Sequence, residues 1–401
     1  MSDHVLVINA GSSSLKYSVV DARTGEAAAA GLVERIGEGE GRHVHRGPAG
    51  ETETTRSILT HEDALRAAID TFDKHGPSLA DLDLRAVGHR VVHGGSRFSA
   101  SAPIDDALLA EVTGLVPLAP LHNPANLEGI RVARRLFPDL PQVAVFDTAF
   151  HQTLPPHAYT YAVPLTWLED HGVRRYGFHG TSHAFVSHET ARLLGRDPAE
   201  TNVIVLHLGN GCSASAVLGG RSVETSMGLT PLEGLVMGTR SGDVDPAIPA
   251  YLARELGMSV DEIDRALNSA SGLKGLAGEN DFRELSRLRA RGDEHASLAF
   301  DVYCHRIRKY VGAYYAVLGT VHAVVFTAGV GEHSAEVRAA SLAGLERLGI
   351  AIDSNRNNAA FSGAHRISTD AGEVAVFVVP TNEEWQIARE TLGVVRHGSG
   401  A

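Results

Sequence analysis

One arrangement occurs twice in this chain: a short apolar run, a turn rich in glycine and small polar residues, and a second strand-like run. In the first copy Val5-Leu6-Val7-Ile8 leads to a turn at Gly11, and in the second Val203-Ile204-Val205-Leu206 leads to a turn at Gly209. β-Branched runs joined by such a turn are typical of a β-hairpin. The two turns lie about half of the 401-residue chain apart. The sequence therefore predicts two similar halves, each opening with a hairpin whose turn faces a common cleft.

The remaining pattern predicts an α/β protein. Apolar runs at residues 86–87, 142–146, 321–326 and 374–379 alternate with stretches of helical periodicity, which is the pattern of that class. A chain of 401 residues is too long for a single hydrophobic core of ordinary size, so we expect two domains.

Three segments carry more local predictions. Residues 310–331 contain no Asp, Glu, Lys or Arg, but their glycines and change of period predict a buried helix followed by a buried strand rather than a membrane span. The glycine-rich polar residues 37–54 predict an exposed loop. Ser334 is predicted to cap a helix that reaches Leu348.

Composition restricts the class of ligand. Lys and Arg number 36 against 48 Asp and Glu, for a formal net charge of -12, so the chain lacks the general attraction of basic proteins for nucleic acid or anionic membranes. Any anionic ligand must be gathered by local groups. With only Cys212 and Cys304, a disulfide framework and a four-cysteine zinc site are excluded, which fits a reducing cytoplasm. The N-terminus does not read as a signal peptide.

The turns suit phosphate. Residues 11–16 combine glycine, hydroxyl donors and a lysine, groups that hold an anion through backbone N–H bonds and a point charge. The spacing is not that of a P-loop, and alone an ordinary hairpin is the simpler interpretation. The second copy, Gly209-Asn210-Gly211, favours a ligand, because two such turns could face the two ends of a polyphosphate. A third glycine-rich corner, residues 327–332, could approach a phosphate or a flat ring.

Two arginines have glycine neighbours that fix the backbone from which they project. They are Arg90, within residues 88–95, and Arg240, within residues 238–243. A guanidinium offers a rigid donor fork to carboxylate or phosphate. A surface ion pair is the alternative for each.

Histidines and acids supply further candidates. His179 and His183 are four residues apart, but the segment lacks the glutamate of a His-Glu-x-x-His zinc motif. We therefore favour His179 as a donor to an anionic transition state and His183 as a packed histidine. Asp147 follows a buried run and is a candidate catalytic acid or a cap. Glu383 with Asn9 could hold magnesium when ATP is present.

Together, these segments and their order resemble the acetate kinase family. The matching segments are residues 5–16, 88–95, 119–124, 146–151, 176–183, 206–211, 225–245, 327–332 and 380–384. The resemblance implies two ribonuclease-H-like domains of the actin-like, sugar-kinase and heat-shock ATPase architecture, with a central nucleotide cleft. Residues 1–147 plus 384–401 would form the domain with the first hairpin and the acetate site. Residues 148–383 would form the domain with the second hairpin and the nucleotide site.

The resemblance also implies a reaction: reversible, Mg²⁺-dependent in-line phosphoryl transfer from ATP to acetate, giving acetyl phosphate and ADP. Mg²⁺ or Mn²⁺ would be held by Asn9 and Glu383. Arg90, Asp147, His179 and Arg240 would be catalytic, and Arg90 would hold the acetate carboxylate. The acetate methyl group would be enclosed by Val92, Leu121, Phe178 and Pro231. Phosphates and nucleotide would contact Ser12, Ser14, Lys16, His207, Leu208, Gly209, Asn210, Gly211, Asp281, Phe282, Arg283, Gly329, Val330, Gly331, Glu332 and His333.

Some alternatives stay open. His333 replaces the asparagine usual in the family, so that nucleotide contact is expected to differ. A methylene in the methyl pocket changes discrimination by only about 1–3 kcal/mol, so a propionate or other short-chain acyl kinase is the nearest alternative. A conformational ATPase of the actin or chaperone kind is a distant one. A homodimer is implied by the resemblance alone.

Overall fold

The structure of this chain, a computed structural model, describes residues 3–398. The chain forms two compact units. The first runs to Phe150 and resumes at Asn382, and the second is His151–Thr381. Each unit has one sheet with helices packed on it. The predicted α/β class is confirmed.

The strands of the first unit include five that precede the first helix of the chain. Within the described residues they are β1 (His4–Ala10), β2 (Ser14–Asp21), β3 (Ala27–Glu34), β4 (Gly41–Gly47), β5 (Gly50–Arg56), β6 (Leu84–Val91), β7 (Ala102–Pro103) and β8 (Gln142–Phe146). Those of the second unit are β9 (Asn202–Leu208), β10 (Cys212–Leu218), β11 (Arg221–Thr225), β12 (Ala323–Thr327), β13 (His365–Arg366) and β14 (Ala375–Val378).

The α-helices alternate with the later strands. In the same part of the chain they are α1 (His61–His75), α2 (Asp106–Gly114), α3 (Asn123–Leu136), α4 (Pro156–Tyr159), α5 (Leu165–His171), α6 (Gly180–Leu193), α7 (Ile248–Leu256), α8 (Val260–Ser269), α9 (Gly272–Ala277), α10 (Phe282–Ala290), α11 (Glu294–Leu318), α12 (Ala328–His333), α13 (Ala335–Leu342), α14 (Ser354–Asn358) and α15 (Glu383–Gly398). No helix among residues 3–398 is both long and apolar enough to cross a bilayer.

The two sheets have the same arrangement of five central strands. The first has the order β5-β4-β3-β2-β1-β6-β8-β7 and the second β11-β10-β9-β12-β14-β13. In each, three antiparallel strands are followed by two strands that join in parallel: β1 with β6 and β8, and β9 with β12 and β14. The repeat predicted from the two turns is thus present as one topology in both units.

Strand alternation sorts the core of the first unit into two layers. Leu6 and Ile8 of β1 pack in the cluster that contains residues of α1 and α3. Val5 and Val7 pack on the opposite face, against Ile387 of α15. Since successive side chains of a strand point to opposite faces, residues 9 of β1 and 90 of β6 are expected on the α15 face as well.

The prediction of an exposed loop at residues 37–54 is wrong, because β4 and most of β5 form a hairpin there. Arg42 and Glu53, on facing strands, form an ion pair. His43 and His45 are buried, and each has a ring nitrogen 2.8 Å from the Tyr17 hydroxyl. Polar pairs and packed imidazoles stabilise this hairpin, so its sequence lacks the alternation of apolar and polar residues by which a half-buried strand is recognised.

The helix predicted from Ser334 to Leu348 is too long. The Ser334 side chain does accept from the backbone N–H of Val337, but α13 ends at Leu342. A separate 3-10 turn covers Glu346–Leu348. The backbone leaves the helix at Ala343, whose ψ is 131°, and Gly344 follows with φ of 83°, in the left-handed region that glycine adopts readily. The predicted buried helix and strand within residues 310–331 are confirmed as the end of α11 and β12.

Helix α3 packs closely on the end of β1, where the first turn begins. The Asn126 side chain donates to the Ala10 carbonyl at 2.7 Å. A Cβ atom at Gly129 would lie 2.7 Å from the Cβ of Ala10, which is closer than carbon atoms can pack. Glycine at this position therefore sets the approach of α3 to the turn.

We expect Gly129→Ala to lower the thermal unfolding midpoint, because the overpacking cost of about 1–3 kcal/mol exceeds the gain in helix propensity. Gly312→Ala, in the middle of α11, is the matched control because no outside heavy atom lies within 4 Å of its added Cβ. It should stabilise the protein by about 0.5–1 kcal/mol. Equal midpoints for the two variants in a thermal melt contradict the close packing.

Candidate active site

The first unit gathers charged side chains where its parallel strands end. Arg90 lies near the end of β6, and Asp147 directly follows β8. The Nε atom of Arg90 donates to both carboxylate oxygens of Asp147 at 3.1 Å, and Nη2 donates to Oδ2 at 2.5 Å. Asp147 is 1% exposed. The buried carboxylate of Asp147 thus fixes the orientation of the Arg90 guanidinium. It does so through Nε and Nη2, so Nη1 can donate to a further acceptor.

Glu383, the first residue of α15, brings a second acid to this group. Burial raises the pKa of Glu383; Arg90 opposes the rise, while Asp147 and Glu384 add to it. For Arg90, burial alone would lower the pKa, but Asp147 and then Glu383 outweigh it, and the pKa is raised. Arg90 is therefore a permanent cation, and Glu383 carries its negative charge at a free-energy cost.

Asn9 and Lys16 face each other across the first hairpin. They are register partners on β1 and β2, and with Arg90, Glu383 and Glu384 they line one small cavity. The Lys16 ammonium forms an ion pair with Glu384. Burial would raise the pKa of Glu384, but Lys16 brings it below its usual value. The sequence singled out Lys16 without its carboxylate partner.

The donor set of this cavity fits a small divalent cation. An amide oxygen of Asn9 and a carboxylate of Glu383 are hard oxygen ligands, and Mg²⁺ takes few such protein ligands while it keeps water and substrate oxygens. The raised pKa of Glu383 points the same way, because a bound cation offsets the cost of the buried charge. In the described residues no cluster of three or more His, Cys, Asp or Glu could hold a metal by itself.

The second unit holds the other predicted arginine beside the second turn. A Cβ atom at Gly211 would lie 2.8 Å from Nη2 of Arg240 and 3.5 Å from Nε2 of His179. The three residues thus surround a space that only glycine leaves open. Nη1 of Arg240 donates to the Pro231 carbonyl at 2.7 Å.

Arg240 differs from Arg90 in its electrostatic surroundings. Across residues 3–398, no carboxylate forms an ion pair with it. Burial lowers its pKa, opposed only by Cys212. A partly buried cation with no acidic partner is suited to an anionic ligand. His179 has a φ of 56°, an uncommon backbone conformation that histidine tolerates better than most residues and that directs its ring.

A cavity of about 390 Å³ extends from the second turn. It brings together most of the residues that the resemblance assigns to a nucleotide: Gly209, Asn210, Asp281, Phe282, Arg283, Gly329, Val330 and His333. Gly238, Leu273, Asn280, Ser286 and Ser334 also line it, although the resemblance assigns none of them to the nucleotide. Arg283 is highly exposed and paired with Asp281, so the rim is open to solvent.

The other assigned residues lie around these groups. His207 is 8% exposed, with Nδ1 2.8 Å from the Ser182 hydroxyl. Leu208 is fully buried and does not line the cavity. Gly331 is buried, and burial raises the pKa of Glu332. Ser12 is exposed, whereas Ser14 lies closer to the hairpin core.

The four residues assigned to a methyl pocket have different exposures. In the first unit Val92 is partly buried and Leu121 is 67% exposed. In the second unit Phe178 is 2% exposed and Pro231 is partly buried. An exposed leucine is common on protein surfaces and by itself indicates no ligand.

The family is decided by a match along nearly the whole chain. Residues 4–389 match the Acetokinase family. This chain belongs to that family. An acetate kinase of Streptomyces coelicolor is 60% identical over 396 residues, covering 98% of this chain and 97% of the relative. The acetate kinase of Streptomyces avermitilis is 58% identical over 393 residues, covering 98% and 97%.

Solved structures agree with the acetokinase assignment. An acetate kinase of Porphyromonas gingivalis superposes with a TM-score of 0.93 at 42% identity, covering 98% of this chain and all of that one. A propionate kinase of Francisella tularensis gives 0.92 at 43%, with the same coverage. The actin-like ATPase architecture expected from the sequence is thereby confirmed for this acetokinase.

We expect Glu383→Gln to raise the thermal unfolding midpoint of the ligand-free protein near pH 8 by about 2 °C or more, because the amide removes a charge that its partial burial disfavours. The pKa of Glu383 is raised above 4.5 in the folded state, so its ionisation destabilises the fold as pH rises. The difference should shrink as pH falls toward 4.5. Glu38→Gln, at an exposed site, is the control. If the Glu383→Gln variant is less stable than the wild type near pH 8, the ionised carboxylate of Glu383 does not destabilise the fold.

Proposed function

We propose that this member of the Acetokinase family acts as an acetate kinase. It transfers the terminal phosphoryl group of ATP directly to acetate and gives acetyl phosphate and ADP reversibly. The observation that carries the proposal is the pair of differently held arginines, Arg90 with a carboxylate partner and Arg240 without one, in a chain so similar to acetate kinases. One cation is positioned for a small anion and the other for a phosphoryl group.

Arg90 binds the carboxylate of acetate. Its Nε and Nη2 atoms are held by Asp147, so Nη1 can be presented to the substrate in a fixed direction. Acetate is ionised near pH 7, because the pKa of a carboxyl group is about 4. The nucleophile needs no general base, and Asp147 acts by orienting Arg90. Val92, Leu121, Phe178 and Pro231 are the proposed walls around the methyl group.

Arg240 and His179 stabilise the transferring phosphoryl group. Both have a nitrogen beside Gly211, so two donors converge where a phosphate can approach the backbone. Phosphoryl transfer depends chiefly on positioning and on neutralising charge that spreads over the equatorial oxygens. The absence of a β-carbon at residue 211 supports this assignment, because a larger residue would fill the space.

ATP occupies the cavity that starts at Gly209 and Asn210. Asp281, Phe282, Arg283, Gly329, Val330 and His333 contact the nucleoside, with Gly331 and Glu332 behind them. Ser12, Ser14, Lys16, His207, Leu208 and Gly211 contribute to the phosphate sites. Asn9 and Glu383 hold Mg²⁺, or Mn²⁺, which when bound reduces the negative charge on the phosphate oxygens.

The wider setting follows from the same proposal. The domain with the acetate site corresponds to the unit that runs to Phe150 and resumes at Asn382, and the domain with the nucleotide site corresponds to His151–Thr381. We propose a cytoplasmic homodimer whose partners are acetate and ATP, with neither nucleic acid nor membrane among them. The buried thiols of Cys212 and Cys304, whose pKa values are raised by burial to about 11 and about 12, are consistent with packed cysteines without redox function.

Propionate kinase is the second candidate, supported by the Francisella tularensis structure. We expect trapping with hydroxylamine to yield a hydroxamate from ATP and acetate, with kcat/KM decreasing from acetate to propionate to butyrate. Each methylene that fits poorly should cost about 10-fold or more. A reaction from which acetate, propionate and butyrate are omitted is the control. Preference for propionate would favour the second candidate, and ATP hydrolysis without any hydroxamate would favour a conformational ATPase.

We expect Arg240→Ala to lower kcat by about 10³-fold and to change the KM for ATP by less than about twofold, because the guanidinium acts on the phosphoryl group in transit. The matched control is Arg265→Ala, which removes an exposed arginine of α8 and should leave both constants unchanged. A defect confined to KM would show that Arg240 contributes only to binding.

A further inference from the structure

The hydroxyl of Ser213 lies between two histidines of the second unit. Its Oγ atom is 2.9 Å from Nδ1 of His179 and 2.8 Å from Nε2 of His183. Ser213 and His183 are fully buried. A hydroxyl group has one proton and two lone pairs. If Ser213 accepted from both nitrogens, its own buried proton would lack an acceptor, because the described residues offer this oxygen no third partner. Ser213 therefore donates to one of the two nitrogens and accepts from the other. The direction of the two hydrogen bonds therefore fixes which nitrogen of His179 carries a proton.

The burial of His183 decides the direction. Its Nδ1 atom has no hydrogen-bond partner in the described part of the chain. If Nε2 of His183 accepted from Ser213, the proton of the neutral ring would be on Nδ1, where a buried N–H would lack an acceptor. An unpaired buried N–H is among the rarest and most costly of such groups. The favoured arrangement has Nε2–H of His183 donating to Ser213.

The charge state of His183 supports this arrangement. Burial lowers its pKa well below the usual value, and His151 and His207 lower it further. The ring is neutral and carries a single proton, on Nε2. Ser213, having accepted from His183, then donates its own proton to Nδ1 of His179, and the proton of His179 is left on Nε2.

Nε2 of His179 lies on the side of Arg240 and Gly211, 3.5 Å from the position of a Cβ atom at Gly211. A second ring supports it there, because His207 stacks on His179 with the centroids 4.2 Å apart. A proton on Nε2 makes this atom a donor beside a guanidinium. The other tautomer would direct a lone pair at the same place and repel an anion.

We propose that Ser213, oriented by His183, is a positioning residue that holds His179 as the neutral Nε2–H tautomer, a hydrogen-bond donor to the phosphoryl group in transit. The inference rests on the proposed function for the identity of the anion only. The hydrogen-bond direction follows from the buried residues alone. Ser213 touches no substrate in this scheme and acts through the ring of His179.

The tautomer can be measured on the protein without substrates. Long-range ¹H–¹⁵N correlation spectra of protein labelled with ¹⁵N-histidine distinguish protonated from unprotonated ring nitrogens, and the signals lost in His179→Gln identify that residue. We expect Nε2 protonated and Nδ1 unprotonated in the wild type, and averaging of the two in Ser213→Ala. A proton on Nδ1 in the wild type, or spectra that Ser213→Ala leaves unchanged, overturns the proposal.

Kinetics tests the consequence for catalysis. We expect Ser213→Ala to lower kcat by about tenfold, the value of one hydrogen bond of about 1.4 kcal/mol, with KM for ATP and acetate within about twofold. Ser213→Thr, which keeps the hydroxyl, should restore most of kcat. Ser215→Ala is the matched control, because Ser215 is also fully buried on β10 and bonds Thr225 rather than a histidine.

The outcomes separate the two proposals. An equal loss of kcat in Ser213→Ala and Ser215→Ala would indicate a structural role and contradict the positioning role. Failure to form acetyl phosphate with the predicted tautomer present would refute the proposed function and leave the hydrogen-bond direction intact. A proton on Nδ1 of His179 in a protein that does form acetyl phosphate would refute the hydrogen-bond direction and leave the proposed function intact.

Discussion

Parallel pairing of the central strands is the constraint on which the candidate site residues of both units depend. It brings the ends of β1, β6 and β8 to one edge of the first sheet, and the ends of β9, β12 and β14 to one edge of the second. Polar backbone and side-chain groups at these ends are free to face a ligand, whereas the strands themselves are buried. Alternation along the strands then places Asn9, Arg90 and Asp147 on the face covered by α15, which begins with Glu383.

The two units treat buried charge in different ways. In the first, acid and base are neighbours, so Arg90 keeps its charge and Glu383 carries an excess of negative charge. In the second, Arg240 donates to the Pro231 carbonyl, has no carboxylate partner among the described residues, and has a pKa that is lowered by burial. In the proposed function, the first arrangement orients Arg90 and supplies a carboxylate for a metal. The second leaves a cation to be neutralised by the ligand, which is what a site for an anionic transition state requires.

The fold was predictable to the extent that local pattern reports it. The repeated turns at Gly11 and Gly209 predicted two similar halves, and both sheets contain the same order of five central strands. The β4–β5 hairpin was missed because it is stabilised by His43 and His45 against Tyr17, and those contacts join residues far apart in sequence. The helix after Ser334 was predicted too long because its hydrophobic pattern continues beyond Leu342, although the backbone turns at Gly344.

The sequence predicted the side chains proposed to bind ligands, but it did not predict the residues that hold those side chains in place. Arg90 and Arg240 were marked by glycine neighbours, and family resemblance supplied the nucleotide residues. Glu384, which pairs with Lys16, and Ser213, which joins two histidines, have no distinctive sequence context. Their importance arises only from distances created by folding. Residues that hold other residues are thus the main part of a site that sequence reasoning omits.

The same scaffold position serves different chemistry in the two units because of one cross-strand pair. Two residues before the first glycine of the turn stands Asn9 in one hairpin and His207 in the other, and their register partners are Lys16 and Ser213. In the proposed function, the amide of Asn9 binds a metal and the facing ammonium group of Lys16 binds a phosphate. An imidazole facing a hydroxyl extends into hydrogen bonds with further histidines. The backbone of each hairpin fixes where these side chains lie, so the residue types at this pair of positions determine which hydrogen bonds the turn can form.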